Sequence, residues 1–524
     1  MKKTIRTIVL ALCLPSFLTG CHFLEVEQLG KSDIQTYFSD IESVDPAILG
    51  AYNLLFSLYD HYAVMYPEVT GDLLYLSATN TEWWKTYEFT STYEEESSPV
   101  GLIWKRGYNL IMDLDYLLYL SATNTEWWKT YEFTSTYEEE SSPVGLIWKR
   151  GYNLIMDLDY LLYFVPKLRD QDPELVDNTL AQAYLVRALA FFQLCNVYGQ
   201  TYTFTPDAAH WGVGLMTSIP SITDHMVRST TKATYEQILS DIHAARDLFT
   251  DNFKFDRYKA SPAACDALEA RVRLYMGDYE KALELASGLI GRFSLAPRDK
   301  YVAMFCTRAG SPEEDIFRLN GYYQSGGSLG KWFRYDNPSA RPSQKLKALY
   351  KPGDVRTDLF SYYGKDGNGQ MKQFSDICMK YYCTEDIADV ERHYDPVVFR
   401  ASEMYLIAAE CACALGRLPE AEGYVRKLEA RALGVAESAV PLSYSGKDGL
   451  MELIGQERMK ELCFEGHRLY DITRRHEDLK RDAGYNTQVL TVRYPDYRFV
   501  LPIPIIETET NPDIQQNPTS NAGL

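Results

Sequence analysis

Residues 73 to 119 of this 524-residue chain recur without a single change as residues 117 to 163, an offset of 44. Solenoid repeats keep their packing residues and let the other positions drift. Here the charged Glu94-Glu95-Glu96 recurs as faithfully as the core-type Trp104. The repeat is therefore a recent tandem copy and not an architectural unit. A single-copy chain has 480 residues, and its fold offers one place for this segment, so one copy is expected to form an insertion. The two ends of the unit resemble each other, Asp72-Leu73-Leu74-Tyr75-Leu76 against Tyr160-Leu161-Leu162-Tyr163-Phe164, which favours misaligned recombination.

Outside the duplication the chain reads as helix after helix. Ala181 to Tyr198 places Ala188, Phe191, Phe192 and Leu194 on one face and stops at Gly199. Arg228-Ser229-Thr230 precedes a second helical run through Tyr235 and Ile238. Between 263 and 290, the small residues Ala270 and Ala282 flank Gly277, which suits the close antiparallel packing of a tetratricopeptide-like hairpin. The same logic gives a second hairpin over Glu403 to Ala432, turning at Gly416. From about residue 300 to 400 glycine, proline and aromatic residues replace the helical period. Asp366-Gly367-Asn368-Gly369-Gln370 imitates a calcium loop, but Met371 and Ile377 stand where the loop needs glycine and glutamate, so it reads as a turn.

At the N-terminus Lys2, Lys3 and Arg6 precede an apolar run from Ile8 to Leu14, too short to span a bilayer, and Leu18-Thr19-Gly20-Cys21 closes it. This is the pattern of a lipoprotein signal peptide over residues 1–20. Cleavage before Cys21 leaves a thiol carrying diacylglycerol, and several acyl chains on one residue anchor durably. No later apolar run reaches membrane-spanning length in this reading. The formal charge of −19 becomes −22 once residues 1–20, with three bases and no acid, are removed. Nucleic acid is excluded as a partner, since phosphate binding needs a basic surface.

Cys195, Cys265, Cys411, Cys413 and Cys463 fall in helical patterns, where a thiol behaves as a small core hydrophobe. Cys378 and Cys383 are the one pair close enough in a loop-like stretch to bridge. No metal-ligand spacing appears, and neither metal nor cofactor is expected.

Toward the C-terminus the chain reads Glu457-Arg458-Met459-Lys460-Glu461-Leu462-Cys463-Phe464-Glu465-Gly466-His467-Arg468-Leu469-Tyr470-Asp471. Arg458, Glu461, Glu465 and Arg468 step by three and four, which on one helix makes a ladder of alternating charge. Every acid has a basic neighbour that holds it ionised, so the ladder is structural and not catalytic.

These residues, followed by Pro502-Ile503-Pro504, Glu507, Asn511-Pro512 and Gln516-Asn517-Pro518, resemble the SusD/RagB family of nutrient-binding outer-membrane lipoproteins. Lys351-Pro352-Gly353-Asp354-Val355-Arg356 and Glu403 to Glu410 fit the same pattern, and the resemblance runs from Cys21 to the last residues. It implies an all-α, SusD-like fold of tetratricopeptide-type hairpins with a loop-rich binding region and little β. The expected organisation is a lipidated N-terminus and tether over 21–45, an N-terminal helical part over 46–300 carrying the duplication as 73–116 and 117–160, and a C-terminal part over 301–524.

The resemblance further implies a protein that is not an enzyme. It would bind oligosaccharide at the cell surface and deliver it to a SusC-like TonB-dependent transporter. A RagB-type peptide receptor is the alternative, and a secreted glycoside hydrolase would need two carboxylates facing each other across a cleft. Sugar faces rest on flat rings, so the candidate platforms lie where aromatic and polar residues alternate. These are Trp83, Trp84 and Tyr87, their copies Trp127 and Trp128, and the run with Tyr322, Tyr323, Trp332, Phe333 and Tyr335.

Deleting residues 73 to 116 restores one copy and leaves both flanks unchanged. The shortened protein is expected to melt no lower than the full chain in a thermal unfolding experiment. A clear fall in midpoint or in soluble yield would show that both copies are integral.

Overall fold

The computed structural model describes residues 38–76, 153–219, 226–307, 310–321, 328–384, 394–483, 489–500, 503, 511–518 and 520–523. The signal sequence, Cys21, Glu507 and most of the duplicated segment lie outside the described residues.

The chain begins with α1 (Val44–Leu58), a π-helical turn (Tyr59–Ala63), α2 (Met65–Thr70) and the short strand β1 (Leu74–Leu76). It resumes in α3 (Asn153–Phe164) and α4 (Pro173–Tyr198), then β2 (Trp211–Gly214), β3 (Arg228–Thr230) and α5 (Thr231–Leu248). The pair α6 (Pro262–Met276) and α7 (Tyr279–Ile290) leads to α8 (Ala303–Cys306), β4 (Asp315–Arg318), α9 (Ser328–Trp332), β5 (Ala340–Pro342) and α10 (Gln344–Ala348). Strands β6 (Ser361–Lys365), β7 (Met371–Ser375) and β8 (Val397–Arg400) precede α11 (Ala401–Ala414), α12 (Leu418–Leu433), α13 (Gly446–Leu462) and α14 (Arg468–Arg474). β9 (Leu479–Lys480) and β10 (Thr491–Val492) close the list. Every described strand pairs with one other, antiparallel, so β structure only pins loops onto a helical body.

Local chemistry explains where the helices start and stop. Asp172, Thr230, Ser261 and Asp278 each accept a hydrogen bond from a backbone N–H in the first turn of α4, α5, α6 and α7. Gly277 ends α6 at φ 77°, a left-handed position that lets its N–H and that of Asp278 bond back to Leu274 and Arg273. The expected hairpins are both present, α6–α7 and α11–α12, with Ala270, Ala282, Ala286, Ala408, Ala409 and Ala412 wholly buried where helices approach.

Helix α4 is buried around nearly its whole circumference. By length and composition it would pass for a membrane span, contrary to the expectation that no later run is long and apolar enough, yet 89% of its most apolar stretch is packed inside the protein. Arg187 at its middle is bound on both sides, by Asp159 of α3 at 2.5 Å and by Asp241 of α5 at 2.6 Å. Burial drives the Asp159 carboxyl up to about 7, against the pull of the Arg187 charge.

The charge ladder expected on one helix is not what forms. Helix α13 ends at Leu462 and the chain turns through Phe464 and Gly466, both at positive φ, so Glu465 and Arg468 leave the α13 face. The acids instead reach across the fold. Glu461 meets Arg400 at 2.8 Å, Arg431 at 2.7 Å and Arg356 at 3.1 Å. Arg356, fixed by Asp354 at 2.7 Å, also holds Glu457 at 2.5 Å, and Glu465 binds Lys380 and Arg400. Arg458 pairs with Asp471, and Arg468 with Asp72 at 2.6 Å. Burial alone would raise these acids, but the cations prevail: Glu465 and Asp72 are held at about 2 and Glu461 well below the usual range.

A second latch ties the C-terminal tail to the helices. Arg228 donates to Asn517 Oδ1 at 2.7 Å and to the carbonyl oxygens of Gln515, Gly212 and Tyr198, while Asn511 donates to the Met226 carbonyl. The eight described cysteines are buried, and none forms a disulfide with another of them. Cys378 and Cys383 thus do not bridge.

Glu461→Ala would remove the one carboxylate that three buried arginines share, leaving each with fewer partners. A broken buried pair costs about 3 to 5 kcal/mol, so urea unfolding is expected to show a loss of that order. Unchanged stability would contradict the lattice.

Glu68 provides a pH test. Its Oε1 accepts from the N–H groups of Gly466 and His467 at 3.0 and 3.2 Å, and burial drives its carboxyl up to about 7. A raised folded pKa gives stability that is full below the unfolded value near 4.5 and is lost as pH rises through 7. Glu68→Gln keeps an acceptor for both N–H groups and cannot ionise. Its stability relative to the parent is expected to grow between pH 5 and 8, by on the order of 1 to 3 kcal/mol. Parallel stability curves would refute the assignment.

Candidate functional site

Strands β6 and β7 form a hairpin around the turn at Asp366, whose Oδ1 accepts from the N–H groups of Asn368 and Gln370. No calcium-loop geometry is needed to explain that turn. Side chains alternate between faces along each strand. Tyr362 opposite Phe374, and Gly364 opposite Lys372, share the inner face, while Tyr363 opposite Gln373 lies on the outer one.

Tyr335 packs on that inner face, with ring centroids 5.0 Å from Tyr362, 4.9 Å from Phe374 and 4.9 Å from Tyr382, all edge-to-face. Its hydroxyl donates to the Lys365 carbonyl at 2.8 Å. Position 364 must be glycine, because a Cβ there would fall 2.4 Å from the Tyr362 ring and 3.2 Å from Tyr335. Burial, then the charge of Asp336, raises the Tyr335 hydroxyl, so it stays protonated and able to donate. The rings are half-buried, and on the outer face Tyr363 stands out at 59% exposure with Met371 beside the turn at 49%. Polar groups border them: Arg334, paired with Asp336 at 2.5 Å, and the exposed Lys365, Lys372 and Gln373.

Three connections end near the block from α9 to β5. Leu76, the last described residue before 77–152, pairs with Ala340, and Ser339 donates to the Trp332 carbonyl. Gly321, which precedes 322–327, donates to Asp395 Oδ1 at 2.9 Å, next to Tyr394, which follows 385–393. Lys347 and Arg341 bond Asp376 at the end of the hairpin. The chain ends leading to both aromatic runs singled out in the sequence therefore converge on the block from α9 to β5.

Two of the expected platforms are elsewhere. Trp332 is 7% and Phe333 1% exposed, and Phe333 packs against Tyr381 and Phe464 in the core. Neither presents a face to a ligand, because α9 turns that part of the run inward against the signature turn. Tyr335 alone of the described candidates reaches the surface cluster. Trp83, Trp84, Tyr87, Trp127, Trp128, Tyr322 and Tyr323 lie outside the described residues. Tyr362, Tyr363, Phe374 and Tyr382 were not singled out from sequence. Two short aromatic runs around Asp-Gly-Asn-Gly are a hairpin signal that could have found the first three. Among the described residues no group of three or more His, Cys, Asp or Glu side chains is placed to hold a metal ion.

Comparison with known proteins gives two family matches. Residues 322–519 match the SusD family and residues 117–274 a family described as starch-binding and associating with the outer membrane. The second match begins at the first residue of the second copy. SusD-like protein P2 of Formosa agariphila is 28% identical over 349 residues, 59% of this chain and 67% of that protein. SusD-like protein P25 of the same organism is 33% identical over 129 residues, 24% of each chain. Among solved structures, a putative sugar binding protein from Bacteroides vulgatus superposes with a TM-score of 0.70 at 21% identity, covering 92% of this chain and 98% of its own. A SusD superfamily protein from Bacteroides fragilis gives 0.70 at 22% identity, with 91% and 100% covered. At these identities the structures establish the fold.

Proposed function

The chain belongs to the SusD family, and on that premise we propose that it is a cell-surface lipoprotein that captures oligosaccharide and hands it to a SusC-like TonB-dependent transporter. The observation that carries the binding part is the aromatic hairpin: its inner face packs Tyr335, Tyr362 and Tyr382 against one another, its outer face exposes Tyr363, and cationic and amide groups border both. The C–H face of a pyranose rests on such a ring while neighbouring Arg, Lys and Gln groups bond its hydroxyls. Each ring contributes about 1 kcal/mol beyond area burial. A few of them give roughly −4 to −8 kcal/mol, micromolar to millimolar affinity, which suits transfer to a transporter. Trp83, Trp84, Tyr322 and Tyr323 lie outside the described residues and stay candidates on their sequence pattern alone. Cys21 supplies the lipid anchor. The described acids that might suggest hydrolysis are tied to buried cations, which supports binding over catalysis.

A glycan and peptide array with residues 22–524 identifies the ligand class, and a peptide hit without glycan binding would favour a peptide receptor. On the strongest glycan, Tyr363→Ala is expected to lose at least tenfold in affinity, about 1.4 kcal/mol, with the melting temperature within a few degrees. Unaltered affinity in Tyr363→Ala and Tyr362→Ala would move the binding surface elsewhere.

Anchoring is tested separately in cells. Cys21→Ala is expected to leave an unprocessed or soluble protein. A variant that still fractionates with the outer membrane and stays protease-accessible on cells would refute the lipid anchor.

A further inference from the structure

The surface that receives α3 is a binding site for one eleven-residue sequence, and the chain carries that sequence twice. Asn153 to Tyr163 is identical to Asn109 to Tyr119. The structure takes β1 from the first copy and α3 from the second, so the 76 residues between them contain the surplus. What the receiving surface recognises is clear from the described part of α3. Leu158 and Leu161 are wholly buried, and Asp159 enters the interior to bind Arg187 of α4, whose other side is held by Asp241. The first copy has Leu114, Asp115 and Leu117 at the matching positions.

We propose that this surface accepts either copy, so that 109–120 can replace 153–164 beside α4. The contacts of the eleven residues themselves are then the same, and only the flanks distinguish the two arrangements. Phe164 stacks on Phe38 at 6.0 Å with Lys167 4.2 Å from its ring, where the first copy brings Leu120. Seating the second copy closes one long connection, whereas seating the first closes two, at a greater entropic cost. Both differences favour the second copy, in agreement with the structure. The exchange also changes which residues lie in the connection that follows β1. With the second copy seated, the connection from β1 carries Trp83, Trp84, Trp127 and Trp128. With the first seated it carries only Trp83 and Trp84, and the 44 surplus residues follow the helix.

The test places a charge that the surface cannot accept. Leu158→Arg in the full chain is expected to lower the melting temperature by only a few degrees, because Leu114 remains available. The same substitution after deletion of residues 73 to 116, and Leu114→Arg/Leu158→Arg in the full chain, are expected to lose more than ten degrees or fail to yield folded protein. In Leu158→Arg, hydrogen-exchange protection is expected to move from peptides ending in Phe164 to peptides ending in Leu120. The proposal is overturned if Leu158→Arg alone is as damaging as the double substitution, if protection does not move, or if the shortened chain tolerates the charge.

Discussion

One carboxylate that water cannot reach joins three distant parts of this chain. Glu461 accepts from guanidinium groups of three separate elements: the Asp354–Arg356 turn, the end of β8 and α12. A buried charge is expensive unless it is fully paired, so these elements are held in mutual register or the structure is lost. The same rule extends outward. Arg468, two residues after Gly466 of the turn, reaches Asp72, and Glu68 accepts from the N–H groups of Gly466 and His467. Arg228 then ties the tail to α4 and β3. The signature residues, scattered along the sequence, are thereby paired in the interior, while the hairpin rings lie at its edge.

That division explains how the fold tolerates a 44-residue duplication. The duplicated unit enters the described body only at its ends, through β1 pairing with β5 and through α3 packing on α4. Asp72, immediately before the unit, is locked by Arg468 and Lys345, and Phe164, just after it, is locked against Phe38. Surplus chain between two fixed points costs little, since loop entropy grows only with the logarithm of length.

The helical framework was legible because its signals are local. Capping residues, Gly277 and the small residues at helix contacts specify α4, α6–α7 and α11–α12 without reference to distant parts of the chain. The charged signature was legible as structural but not in its wiring: spacing suggested one helix face, whereas the turn at Phe464 and Gly466 redirects Glu465 and Arg468 to other partners. Trp332 could not be placed from composition, since an aromatic residue near a surface loop and one in the core look alike until its neighbours are known. Tyr362 and Tyr363 show the converse case, because a period-two pattern around a turn puts one ring inward and the next outward.

The signature network holds the fold, and in the function proposed above the aromatic hairpin meets the ligand. Hydrogen exchange of the soluble body with and without a saturating oligosaccharide tests it most directly. Slowed exchange is predicted in β6–β7 and the stretch from α9 to β5, with α13 and α14 unchanged. Slowing confined to α13 and α14, with none in the hairpin, would contradict it.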